Sequence, residues 1–229
     1  MKNPRSITLT PELIQQHQLS TDPPPQDSLF WQLWNAAKPS AQQALATDFI
    51  QGIKSGTLNP VTYGAFNISD AYYCFHGAED YGKAVARATD PVLKAFLQSK
   101  YQSYQDFNAT FPTTWRISDA SSIVPMQVTK EYSDFETMVA TTYDPIYTLV
   151  AMLPCEYLWP WLSEQIGTPT PGNLYADWIT GNGHSSGAFA MGNFLEAYRL
   201  QHPIDVAKAT DIYTQAMQFE ANNFATATS

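Results

Sequence analysis

The sequence predicts an all-α protein with a single helical domain. Apolar residues recur at helical spacing over long stretches, and Asn-Pro and Asp-Pro pairs stand where helices can begin. No alternating run of Val, Ile or Thr leads into an Asn-Gly turn, so β-hairpins are not indicated. A chain of 229 residues suits one domain, and 44% hydrophobic residues supply enough apolar surface for one large core.

The N-terminal segment differs from the rest of the chain. Residues 1–26 contain three consecutive prolines at 23–25 and few apolar side chains, which predicts an extended arm. A short helical turn is expected within the arm at residues 11–18. The helical domain is therefore predicted to span residues 27–229.

Helical signals then follow one another to the C-terminus. Pro39 is predicted to begin a helix, because proline fits the first turn, and Gly56 is predicted to end it. Residues 111–128 are predicted to form a loop, since Pro112, Pro125 and several serines interrupt the pattern. The predicted helices begin at Leu29 and continue as Pro39 to Gly56, Pro60 to Ala88, Pro91 to Phe107, Thr129 to Thr142, Pro145 to Ile166, Leu174 to Gly181, Phe189 to Gln201 and Ile204 to Ala225.

Charge and cysteine content exclude several classes of partner. Acidic residues outnumber basic ones 21 to 12, giving a net charge of −9, so neither a nucleic acid nor an anionic membrane is an expected partner. The longest apolar stretch, 146–162, is interrupted by polar residues and prolines, which argues against a membrane span. Cys74 and Cys155 fit neither a disulfide framework nor a zinc motif. With no signal-peptide pattern at the start, we expect a cytoplasmic protein.

Four groups of residues between positions 30 and 224 occur in one characteristic order. The first comprises Phe30-Trp31-Gln32-Leu33-Trp34, Gly56-Thr57-Leu58 and Ser69-Asp70-Ala71-Tyr72-Tyr73. The second joins Glu131-Tyr132-Ser133 to Met152-Leu153-Pro154-Cys155 and the aromatic residues Tyr157, Trp159 and Trp161. The last two are Tyr175-Ala176-Asp177-Trp178-Ile179 and Phe219-Glu220. In this order the groups resemble the TenA family, the thiaminase II group.

The resemblance implies a fold, an activity and a set of site residues. The fold would be a heme-oxygenase-like helical bundle, usually assembled as a homo-oligomer, and the activity would be hydrolysis of an aminopyrimidine without metal or cofactor. Cys155 would be the nucleophile and Glu220 the proton shuttle. Asp70 would pair with the amidine edge of the pyrimidine, a geometry that suits a carboxylate. Tyr132 would hold the thiol, and Tyr73 would line the ring pocket.

The residues of the Cys155 helix are consistent with such a site. A free thiol is mostly protonated at neutral pH, so a cysteine nucleophile needs help from its surroundings. Pro154 lacks an N–H, which frees a carbonyl one turn earlier and favours a bend that could expose the thiol to a cavity. Aromatic side chains that follow Cys155 would supply flat walls for a planar heterocycle.

Four positions depart from the family pattern. Ser69 stands where glutamine is usual, and Trp159 and Asn182 stand where the family has pocket tyrosines. Asn223 replaces an aromatic residue after the last glutamate. Stacking on a heterocycle would survive these changes, whereas the hydrogen bonds to the usual substrate would not be identical. The resemblance therefore leaves the natural substrate open.

Two other functions fit the same scaffold. A non-heme iron oxygenase would bind its metal through His, Asp and Glu from several helices. The candidates for that role are His76, Glu79, Asp80, Glu156 and His184. A non-catalytic protein that binds a pyrimidine or related heterocycle is the other alternative, and the altered pocket positions motivate it.

Overall fold

The computed structural model describes residues 20–228, and that range is built from helices, with no β-strand within it. In chain order the helices are α1 (Leu29–Ala46), α2 (Asp48–Ser55), α3 (Pro60–Arg87), α4 (Pro91–Asn108), α5 (Phe111–Thr114), α6 (Gln127–Thr142), α7 (Ile146–Ile166), α8 (Ala176–Asn182), α9 (Ser186–Arg199) and α10 (Val206–Thr226). The predicted all-α, single-domain fold is confirmed. The turn predicted at residues 11–18 lies outside the described residues.

Hydrogen bonds between near neighbours fix several helix ends at the predicted positions. The Asn59 side chain accepts a hydrogen bond from the Val61 N–H at 2.8 Å, and the Asp90 carboxylate accepts from two N–H groups at the start of α4. Gly56 and Gly167 follow α2 and α7 with φ of 73° and 78°, a region in which a Cβ would be strained. These short-range interactions explain why the boundaries could be read from sequence.

Pro39 does not begin a helix, which corrects the prediction made from its sequence position. It lies inside α1, a continuous helix whose buried stripe runs from Leu29 through Trp34 to Ala44. Proline removes one backbone donor, and the carbonyl left without that donor belongs to Asn35, four residues earlier. Both residues are exposed, so water can satisfy this carbonyl and the helix continues.

Other boundaries also differ from the sequence prediction, among them the start of α9, which lies at Ser186 instead of Phe189. The helix expected to continue through Leu45 breaks at Thr47, whose hydroxyl donates to the Ala44 carbonyl and accepts from the Ile50 N–H. Within the predicted loop at 111–128, the structure has the short helix α5 and one 3₁₀ turn at Ala120–Ser122. Helix α6 begins two residues earlier than predicted, at Gln127.

Helix α7 lies at the centre of the bundle. Its buried residues cover all sides from Ile146 to Pro160, because nearly every position is apolar. Helices α1, α3, α6, α8, α9 and α10 pack against it. Pro154 and Pro160 both lie inside α7, as predicted. Within residues 20–228, no helix combines the length and apolarity needed to cross a bilayer.

The described part of the arm lies against α9. The Asn193 amide donates to the backbone carbonyls of Ser20 and Asp22, at 2.8 and 2.9 Å. The Trp31 indole donates to the carbonyl of Pro24, which is itself buried. The proposed domain boundary at residue 26 stays a prediction.

Candidate active site

Three helices bring aromatic side chains together beside the centre of α7. Tyr132 of α6 lies between Tyr73 of α3 and Phe219 of α10. Its ring centroid is 4.9 Å from that of Tyr73 and 5.6 Å from that of Phe219, with interplanar angles of 28° and 12°. Tyr73 and Tyr132 are both fully buried, so the packing of three helices fixes their positions.

Cys155 lies on α7 beside these tyrosines. Its side chain is buried, with 1% of the residue exposed, so the bend expected at Pro154 does not open the thiol to solvent. Burial raises the pKa of Tyr73 well above its usual value, and the second largest contribution to the rise comes from Cys155. Burial likewise raises the pKa of Tyr132, with smaller contributions from Glu136, Glu220 and Cys155. Cys155 thus acts electrostatically on both Tyr73 and Tyr132, the two tyrosines to which the resemblance gives roles beside the thiol and in the ring pocket.

Glu220 is tied to the site through Trp159. The Trp159 indole N–H donates to Glu220 Oε2 at 3.3 Å, and both residues are almost completely buried. The Trp159 ring also packs against Phe66, Trp178 and Phe224, with centroid distances of 6.0, 5.4 and 5.3 Å. One turn separates Trp159 from Cys155 on α7, so the indole holds the Glu220 carboxyl on the side of α7 that carries the thiol.

Asp70 lies at the edge of this cluster. It is half-buried on α3, four residues after Phe66 and three before Tyr73. Residues at these spacings share one helix face. Phe66 contacts Trp159, and Tyr73 contacts Tyr132, so Asp70 lies between two side chains that point towards the site.

Two of the departures from the family pattern are linked by hydrogen bonds. The Ser69 hydroxyl donates to Thr129 Oγ1 at 2.8 Å, and the Thr129 hydroxyl donates to Asn223 Oδ1 at 2.6 Å. All three residues are buried, and they belong to α3, α6 and α10. Ser69 Oγ also accepts from the Met126 N–H at 3.0 Å. The changes at 69 and 223 are therefore parts of one polar link between three helices.

Asn182, another departure from the family pattern, is the last residue of α8. Its side-chain amide donates to the Trp178 carbonyl of its own helix at 2.7 Å. Trp178 in turn packs against Trp159, which connects Asn182 to the cluster. The amide that replaces a pocket tyrosine is thus engaged with the backbone of α8.

Glu136 was not identified from the sequence, although it lies in the middle of the site. It is 1% exposed, and Glu136 Oε1 accepts a hydrogen bond from the Tyr73 hydroxyl at 3.0 Å. Burial raises its pKa well above the usual carboxyl range, and the negative charges of Asp80 and Glu220 add to the rise. Its position four residues after Tyr132, on the same helix face, is the signal that could have revealed it.

A buried ion pair lies next to Cys155 in sequence. The Lys100 ammonium of α4 is 2.7 Å from Glu156 Oε1, and both side chains are 0% exposed. The hydroxyls of Tyr81 and Tyr104 are buried nearby without a hydrogen-bond partner among residues 20–228. Glu156 is the one charged residue in the apolar run 146–162, a sequence signal that a buried partner exists.

The residues considered for an iron site are not gathered into one place. His76 and Glu79 approach each other at 3.4 Å on the partly exposed side of α3, while Asp80 bonds to Lys83 and Thr137. Glu156 is paired with Lys100. Within the described range, no group of three or more His, Cys, Asp or Glu is arranged to hold a metal ion.

Solved structures share this fold at low sequence identity. A TenA homologue from P. horikoshii OT3 is 16% identical, with a TM-score of 0.72 over 87% of this chain and 98% of its own. A TenA family transcription regulator from Silicibacter sp. TM1040, also 16% identical, gives 0.73 over 87% and 96%. A candidate TenA-like thiaminase from Sulfolobus solfataricus P2 is 15% identical and gives 0.67 over 86% and 94%.

Sequence comparison assigns the family independently of these structural matches. No curated protein matches the chain. The sequence profile of the TENA/THI-4/PQQC family matches residues 34–228, which include every helix of the site. This chain belongs to the TENA/THI-4/PQQC family.

Proposed function

We propose that the protein is an aminopyrimidine aminohydrolase of the thiaminase II type. Cys155 is the nucleophile, Glu220 is the proton shuttle, and Asp70 pairs with the amidine edge of the ring. Tyr73, Tyr132 and Trp159 form the aromatic surroundings of the substrate. Family membership and the arrangement of these side chains support the proposal.

The reaction consumes one water and requires no redox step. The Cys155 thiolate forms a C–S bond to an electron-poor ring carbon, while Glu220 protonates the ring nitrogen that receives the electron pair. The exocyclic C–N bond then breaks, and water supplies the oxygen that replaces nitrogen and the proton that the amine carries away. Expulsion of the thiolate restores the aromatic ring and returns the ring proton to Glu220.

The observation that carries the proposal is the convergence of α3, α6 and α10 on one turn of α7. Cys155 acts electrostatically on Tyr73 and Tyr132, and the indole of Trp159, one turn along α7, donates a hydrogen bond to the Glu220 carboxyl. A thiol, a proton-transferring carboxyl and stacked aromatic rings are the groups that covalent hydrolysis of a heterocycle needs.

The test is a hydrolysis assay with an aminomethyl-substituted aminopyrimidine and with thiamine. Removing the nucleophile of a covalent mechanism should abolish nearly all turnover while leaving ligand binding largely intact, so Cys155→Ala should bind but not hydrolyse. Cys74→Ala is the matched control, because Cys74 is equally buried at 1% exposure on α3. Near-full hydrolysis by Cys155→Ala would show that the covalent mechanism is wrong.

A non-catalytic heterocycle-binding protein is the second candidate. The hydrogen bonds that join Ser69 and Asn223 through Thr129 favour it, because Ser69 and Asn223 replace a glutamine and an aromatic side chain of the family pattern. Calorimetric titration of the wild-type protein with the same pyrimidines separates the two functions. Binding without release of amine would support the second candidate.

A further inference from the structure

We propose that Glu136 is a positioning residue that competes with Cys155 for the single hydroxyl hydrogen of Tyr73. The proposal takes Cys155 as the reactive thiol and to that extent rests on the proposed function. It concerns a residue outside the set implied by the family resemblance. Its consequence is that the thiolate forms readily only while Glu136 is protonated.

The Tyr73 hydroxyl lies between Glu136 of α6 and Met152 of α7. On one side Tyr73 Oη is 3.0 Å from Glu136 Oε1 of α6. On the other side it is 3.9 Å from Met152 Sδ of α7. Met152 precedes Cys155 by three residues, so the two share one face of α7. Tyr73 therefore has Glu136 on one side and the face of α7 that carries Cys155 on the other.

A tyrosine hydroxyl can donate only one hydrogen bond at a time. An ionised Glu136 can only accept hydrogen bonds, so the Tyr73 hydroxyl donates its hydrogen to Glu136. The Tyr73 oxygen then presents only its lone pairs to α7. A protonated Glu136 can instead donate to the Tyr73 oxygen, which frees the Tyr73 hydrogen to point towards Cys155. Since a hydrogen bond to the charged form stabilises it, the second arrangement favours the thiolate.

The surroundings of Glu136 favour its protonated form. Helices α3, α7 and α10 pack against α6. Tyr73, Asp80 and Tyr81 of α3 face Glu136, as does Glu220 of α10. Tyr132 faces Glu136 from α6 itself, and Cys155 of α7 acts on Tyr132. Lys83 lies nearby but bonds to Asp80 at 2.7 Å. Glu136 Oε2 has no hydrogen-bond partner among residues 20–228, which fits a carboxyl that is neutral in its resting state.

The experiment measures ionisation of Cys155 directly, through the far-ultraviolet absorbance of its thiolate as a function of pH. All proteins carry Cys74→Ala, and the titration of a matched Cys155→Ser variant is subtracted. Glu136→Gln cannot ionise, and its amide N–H can donate to the Tyr73 oxygen. Above the raised pKa of Glu136 the wild-type carboxylate holds the Tyr73 hydrogen, whereas the glutamine cannot ionise. We therefore expect this variant to lower the midpoint of Cys155 ionisation by about one pH unit, the size of one hydrogen-bond difference.

Tyr73→Phe tests whether Glu136 acts through the shared hydroxyl. In that background Glu136→Gln should shift the Cys155 midpoint by less than half as much, because only direct charge repulsion remains. Glu131→Gln is the control for altered charge on α6, since Glu131 is exposed, and it should cause no shift. Helix content and thermal unfolding verify that each variant is folded.

Two results would overturn the inference. One is a Glu136→Gln variant whose Cys155 midpoint is unchanged or raised; the other is an undiminished shift in the Tyr73→Phe background. Because thiolate absorbance needs no turnover, an inactive protein that shows the expected shift would refute the proposed function and leave this inference standing. An active protein without the shift would refute this inference and leave the proposed function standing.

Discussion

At the scale of single residues, several acidic and basic side chains of this protein are buried in its core. Among residues 20–228, five acidic or basic side chains are almost inaccessible to solvent, namely those of Asp80, Lys100, Glu136, Glu156 and Glu220. Moving a charge out of water is costly unless a partner or a neutral form compensates. Lys100 and Glu156 compensate each other, whereas Glu136 lies beside other carboxyls and favours its neutral form.

The Lys100–Glu156 pair allows a stability prediction. Lys100→Met leaves Glu156 buried without its counter-ion and should lower the free energy of unfolding by about 3–5 kcal/mol. Adding Glu156→Leu removes the stranded charge and should restore most of the loss. Chemical denaturation measures both effects.

Lys130→Met is the control for this experiment. Lys130 bonds to Asp134 at 2.6 Å on the exposed surface of α6, so its loss should change stability little. A double variant no more stable than Lys100→Met would contradict the explanation.

Glu136 should make stability depend on pH in a defined direction. Because burial raises its pKa, the folded protein binds this proton more tightly than the unfolded chain does. The resulting stabilisation is fully present below the unfolded carboxyl pKa and is lost as pH rises through the folded pKa.

Glu136→Gln removes this titration, so its unfolding free energy should fall less steeply than that of the wild type across that window. Urea denaturation at a series of pH values measures the slopes, with Glu131→Gln as the exposed control. Parallel curves for wild type and Glu136→Gln would be inconsistent with a buried, neutral Glu136.

At the scale of helices, α3 depends on a close approach at Gly77. A Cβ at this position would lie 2.9 Å from Tyr104 Cε1 and 3.0 Å from Met152 Cε. Gly77→Ala should therefore force the Tyr104 ring to move and destabilise the protein by about 1–3 kcal/mol.

Gly64→Ala is the matched control on the same helix. A Cβ at Gly64 would meet no atom within 4 Å, so the better helix propensity of alanine should raise stability by up to about 1 kcal/mol. Thermal unfolding of the two variants should shift in opposite directions. Equal shifts would show that the contact at Gly77 does not limit the packing of α3.

The polar link between α3, α6 and α10 gives a second prediction at this scale. Thr129→Val removes the acceptor for the Ser69 hydroxyl and the donor to the Asn223 amide oxygen, and both groups stay buried. This loss should cost about 1–3 kcal/mol of stability. Thr141→Val is the control, because Thr141 is exposed on α6 and bonds to its own helix. Chemical denaturation should find a substantial loss for position 129 alone.

For the whole molecule, we predict a homo-oligomer. The prediction follows from the family resemblance, and large apolar side chains on the described surface are consistent with buried contacts between copies. Val61, Leu174 and Leu200 are 79%, 75% and 79% exposed. Multi-angle light scattering should give a mass that is a multiple of 25.5 kDa. A mass of one chain at working concentrations would contradict it.

The sequence alone determined the features that depend on near neighbours. Asn59 and Asp90 cap helices by bonding to N–H groups two or three residues away, and Gly56 and Gly167 end helices through their own φ angles. Such interactions are complete within one turn, so their residues predict them. The ordered family motifs likewise identified the helices on which the candidate site lies.

Only the tertiary structure decided which side chains of those helices meet. Tyr73 and Glu136 are 63 residues apart, Trp159 and Glu220 are 61 apart, and Lys100 and Glu156 are 56 apart. Each pair depends on how two helices are rotated and how they cross, which packing around α7 sets. Pro39 shows the same limit, since only the exposure of Asn35 and Pro39 reveals that α1 tolerates the lost hydrogen bond. Helical periodicity fixes the face on which a residue lies, but the partner on the facing helix is fixed by the packing of the whole bundle.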